Sequence, residues 1–160
     1  MKKSRLIITA AVLIFIDQLT KYIAVLYLKN TEGIAVIPSV FRFTYIENEG
    51  VAFGMFANHR WLFMTLTAII IIGCIYMLIK GTDSKLADIC VMLFFAGGIG
   101  NMIDRVFRGY VVDFLDPAFL TGMGINSYVF NIADSCVTIG AGVLLIYIIQ
   151  DSKKQKNENS

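Results

Sequence analysis

Four stretches of the chain are apolar for long enough to cross a bilayer. The first, "LIITAAVLIFIDQLTKYIAVLYL" (6 to 28), follows "MKKSR", which has the form of the charged start of a secretory leader. A leader's apolar stretch is short and ends at a small-residue cleavage site; here it resumes after Lys21 and reaches about 23 residues, a full span, so an uncleaved helix is predicted. Further spans are predicted over 61 to 79, 86 to 103 and 131 to 149. Between the spans lie outer segments 29 to 60 and 104 to 130. In "VIPSVFRFTYIEN", Phe41, Phe43 and Tyr45 alternate with Arg42 and Thr44, the period of a strand. "FLDPAFLTGMGINSYVF" is too aromatic for a solvated loop and too short to span, so it is expected in the interface, with Pro117, Gly122 and Gly124 as bends. The tail "DSKKQKNENS" (151 to 160) is expected to be disordered.

Composition agrees with this pattern. Of 160 residues, 57% are hydrophobic and 16% charged, with a mean hydropathy of +0.70. That describes one all-α integral membrane domain with four transmembrane helices, a small extracytoplasmic β-sheet and an interfacial helix or loop. Lys2, Lys3 and Arg5 precede the first span, Lys80 and Lys85 separate the second from the third, and Lys153, Lys154 and Lys156 follow the fourth. The positive-inside rule puts these segments, and both termini, in the cytoplasm. The net charge of +2 is small and its basic residues line no face that could track phosphates, so nucleic acid is not an expected partner. Cys74, Cys90 and Cys136 fall in apolar runs and read as packing residues, and His59 reads as interfacial. No metal site and no organic cofactor are implied.

Ionisable groups within spans are costly and so are candidates for function. Asp17 and Lys21 are one helical turn apart: either an ion pair with the lysine snorkelling to the outer interface, or a substrate-facing pair. In "GGIGNMIDR" the glycines suit close helix packing, which leaves Asn101, Asp104 and Arg105 to be explained. Asp113 sits among Val111, Val112 and Phe114, surroundings that raise a carboxyl pKa, whereas Asp116 before Pro117 reads as a turn residue. The third span runs outward and the fourth returns, so Asp113 and Asp134 share a leaflet and can meet. Two carboxyls in a dehydrated site share one proton and can activate water against an amide, with Asn131 and Asn101 as hydrogen-bond donors. The same pair also fits a cation site or proton relay of a small transporter, and a packing subunit of a larger complex remains a third reading.

"DQLTK" (17 to 21), "ENEGVAFG" (47 to 54), "GGIGNMIDR" (97 to 105), "GYVVDF" (109 to 114) and "FNIAD" (130 to 134), in this order on four spans, resemble the bacterial lipoprotein signal peptidases, or signal peptidase II. The resemblance implies an aspartic endopeptidase that cuts prolipoproteins before a diacylglyceryl-modified cysteine. It implies Asp113 and Asp134 as the catalytic dyad, with Asp17, Lys21, Asn48, Gly50, Asn101, Asp104, Arg105 and Asn131 as supporting or substrate-binding residues. Expected partners are lipid-modified prolipoproteins and membrane lipids. A monomer in the bacterial cytoplasmic membrane, with its site at the outer leaflet, is expected.

Overall fold

The structure is a computed structural model that describes residues 2–50, 60–82, 84–123 and 128–158. His59, Gly124 and the "VAFG" half of the second motif lie outside them. Among the described residues, four helices are long and apolar enough to cross a membrane: α1 (Lys3–Tyr27), α2 (Arg60–Lys80), α3 (Lys85–Phe107) and α5 (Ile132–Glu158). Their outward faces carry exposed Ile8, Phe15, Ile69, Ile72 and Leu145, side chains that suit acyl chains rather than water.

Helix α3 is the hub, packing against α1, α2 and α5. Its glycines make this possible, each toward a different neighbour. A Cβ on Gly97 would lie 2.5 Å from the Ala133 carbonyl oxygen of α5, one on Gly98 3.2 Å from Ile71 of α2, and one on Gly100 2.6 Å from the Asp17 carboxylate of α1. Small residues thus bring three backbones close where no hydrophobic effect drives helices together.

Outside the spans, β1 (Ile34–Ile37), β2 (Phe41–Asn48) and β3 (Val111–Asp116) form an antiparallel sheet in the order β1-β2-β3. The alternation around Phe41 to Tyr45 is realised in β2, with an irregularity in its pairing to β3 between Phe43 and Ile46. After Pro117 comes a single-turn helix, α4 (Ala118–Gly122).

Four expectations are corrected. The third helix does not stop at Ile103 but runs to Phe107, so Asp104 and Arg105 are helical rather than part of the outer segment. Asp116 is not a solvated turn residue; it ends β3, buried, and pairs with Arg42. The tail is helical to Glu158, because Lys, Gln and Glu are good helix formers and extending a formed helix avoids nucleation. Gln155 also bonds Asp151 one turn back, at 2.9 Å. Finally, Lys21 does not snorkel: its side chain is wholly buried between α1 and α3.

Candidate active site

Asp134 owes its position to a helix cap. Asn131 precedes α5, its Oδ1 accepting the Asp134 N–H at 2.8 Å while its own backbone N–H donates to Asp134 Oδ2 at 3.3 Å. This reciprocal pair is a capping box with an aspartate in the third helical position. Asp113 is placed by the register of the sheet, opposite Ile46 of β2.

The two aspartates converge on Asn131. Its Nδ2 donates to Asp113 Oδ1 at 2.7 Å and to Asn101 Oδ1 at 3.1 Å. Asn101 Nδ2 in turn donates to Asp134 Oδ1 at 2.7 Å, and Asn48 Nδ2 to Asp113 Oδ2 at 2.8 Å. Every oxygen of the two carboxyl groups therefore receives an N–H, three of the four from side-chain amides. Burial, and then the neighbouring Asp134, push the Asp113 carboxyl up to about 7, against the pull of Asn48, Asn131 and Lys21. At neutral pH the pair can hold one proton between them.

Arg105 and Gly50 sit beside the pair. Arg105 Nη2 donates to the Gly50 carbonyl at 3.3 Å, and its charge acts on Asp134, Asp113 and Asp104. The Gly50 N–H is held by Asn48 Oδ1 at 3.0 Å. The end of β2 is thus tied to the aspartates through Asn48 and to α3 through Arg105.

Beneath lies a second, fully buried layer. Lys21 Nζ contacts Asp17 Oδ2 at 2.9 Å, Asp104 Oδ2 at 3.1 Å and Asn101 Oδ1 at 2.9 Å. Asp17 Oδ1 accepts the Ala133 N–H at 2.8 Å, and Asp104 Oδ2 the Val112 N–H at 3.1 Å. All ten residues singled out from the sequence thus fall in one connected cluster. Two more were not anticipated: Gln18, which donates to Asp17 and to the Gly100 carbonyl, and Arg108, 3.3 Å from Asp104 Oδ1. Gln18 lies within "DQLTK", and Arg108 one helical turn after Asp104; those were their only signals. Among the described residues no group of three His, Cys, Asp or Glu side chains is arranged to hold a metal. The groups at hand are acids, amides, one buried ammonium and the guanidinium of Arg105.

A family profile described as signal peptidase (SPase) II matches residues 9–150. The chain belongs to the signal peptidase II family. Its relatives include lipoprotein signal peptidases of Brevibacillus brevis, 41% identical over 92% of this chain and 96% of that one, and of Halalkalibacterium halodurans, 38% identical over 96% and 97%. One from Staphylococcus aureus is 35% identical over 95% of this chain and 92% of its own. Two solved structures, both titled bacterial membrane enzyme structures by the in meso method, share the fold. One has a TM-score of 0.84 at 35% identity, covering 94% of this chain and 91% of that chain; the other has 0.80 at 36%, covering 92% and 94%. This signal peptidase II homologue is accordingly a multi-pass membrane peptidase, with a small sheet packed at one end of its helices.

Proposed function

We propose that Asp113 and Asp134 are the catalytic dyad of an endopeptidase that removes signal peptides from diacylglyceryl-modified prolipoproteins, cutting N-terminal to the lipidated cysteine. The observation that carries this reading is the bridging of both carboxyl groups by one residue, Asn131. Asp113, pushed up to about 7, keeps the shared proton. On this reading its neighbour Asp134, which accepts N–H bonds from Asn101 and Asn131, carries the charge.

In the reaction Asp134 takes a proton from water as its oxygen attacks the scissile carbonyl, and Asp113 gives its proton to the carbonyl oxygen. Collapse of the resulting diol returns a proton to the departing nitrogen, leaving one new carboxyl and one new amine. Lysines flanking the cytoplasmic ends of the spans support an orientation with both termini inside, which puts the aspartates at the outer leaflet of the cytoplasmic membrane. A lipid-bound substrate would meet water there. Lipid-modified prolipoproteins and the surrounding lipids are the partners on this reading, and the enzyme works as a monomer.

The test incubates purified protein with a lipid-modified prolipoprotein and with its unmodified counterpart. Wild type should shorten only the former. Asp113→Asn and Asp134→Asn should each lose cleavage while melting as folded proteins; a fully active Asn variant at either position would overturn the assignment.

A further inference from the structure

We propose that Lys21 is a positioning residue that sets the spacing of Asp113 and Asp134, through two buried carboxylates that each hold the peptide preceding one of them. The inference rests on the dyad reading above and goes one layer deeper. A lysine ammonium has three N–H donors and no acceptor. Here all three are used, on Asp17, Asp104 and Asn101.

What those partners hold is the point. Asp17 accepts the N–H of Ala133, the residue before Asp134, and Asp104 accepts the N–H of Val112, the residue before Asp113. One ammonium thus draws together the anchor of α5 and the anchor of β3, elements that the chain separates by 15 residues of loop and interfacial helix. The third bond fixes an amide. Facing a group that only donates, Asn101 must present Oδ1 to Lys21, which leaves Nδ2 for Asp134 Oδ1.

A plain ion pair within α1 would need only Asp17. The Asp104 and Asn101 bonds reach across to α3, and an ammonium buried this completely tolerates no missing partner. Among the described residues, the charged groups facing the dyad are Lys21 and Asp17 from α1 and Asp104 and Arg105 from α3. Among them, Lys21 bonds to supports of both aspartates.

The test uses the full chain and a lipid-modified prolipoprotein, with Asp113→Asn run alongside. Lys21→Arg keeps the charge, but a planar guanidinium cannot meet three acceptors placed around a tetrahedral ammonium. Lys21→Gln with Asp104→Asn keeps the charge balance and an acceptor for Val112. Both should stay folded, hold KM within about twofold and lose kcat on the order of 100-fold, as displacement of reacting groups by about 1 Å does. In Lys21→Arg, which keeps the charge beside the dyad, a looser pair also repels itself less, so the alkaline limb of its pH profile should move to lower pH. A folded Lys21→Arg with wild-type kcat and an unmoved limb overturns the proposal, and decides alone if the double variant does not fold. An active Asp113→Asn would instead overturn the dyad reading itself.

Discussion

Asn131 commits its backbone N–H, its Oδ1 and its Nδ2 to the two aspartates and their supports. Asn48 does a similar job from the sheet, and its amide N–H holds the Asp113 pKa down. Asn48→Ala should therefore move the titration that reports Asp113, near pH 7 in the wild type, to higher pH in a profile of kcat/KM. Asp113 itself opposes stability. Its carboxyl is protonated in folded and unfolded chains alike below about pH 4. As pH rises toward 7 only the folded chain keeps the proton, so the stability present in acid is lost through that window. Asp113→Asn should thus be more stable than wild type at pH 8 by on the order of a few kcal/mol, read as a higher unfolding temperature, and lose that advantage at pH 4. Asp134 could be picked out from the sequence because charges in spans are rare, and Asp113 because it stands among apolar neighbours. The bonds from Lys21 to Asp104 and Asn101 could not, since they depend on how close α1 and α3 come, which no spacing along one helix encodes.

At the scale of elements, packing on α3 decides the arrangement. Gly97→Ala drives a methyl into the Ala133 carbonyl at the start of α5, and Gly100→Ala into the Asp17 carboxylate. Each should cost about 1–3 kcal/mol, read as a lower unfolding temperature in detergent, with cleavage falling because α5 carries Asp134. A methyl at Gly73 of α2 would meet nothing within 4 Å, so Gly73→Ala should leave both unchanged or slightly raise stability. The spans were readable because long apolar runs have one physical meaning. Strand β3 was not: "VVDFLD" is short, nearly continuous in its apolar residues and buried at every position but Leu115, so it lacks the alternation that betrayed β2.

For the whole molecule, orientation is the property most open to a direct measurement. Cys74, Cys90 and Cys136 are buried, so an impermeant thiol reagent should meet little background. With Ser152→Cys and Glu32→Cys, intact cells should label the second and spare the first; the reverse would invert the topology. The four spans were legible from hydropathy, and the sheet from the alternation of Phe41, Phe43 and Tyr45 with Arg42 and Thr44. The continuity of α5 to Glu158 was not, because polar composition alone does not separate a solvated helix from a disordered tail. The buried ammonium carries one more consequence, for how the chain enters the bilayer. Asp17 and Lys21 emerge from the ribosome before α3 and α5 exist, and each would add about 2.5–3.5 kcal/mol to inserting α1 if it crossed unpaired. Their spacing of one helical turn lets the helix partition as an internally neutralised segment, with the lysine later turning its remaining donors to α3 as that helix arrives.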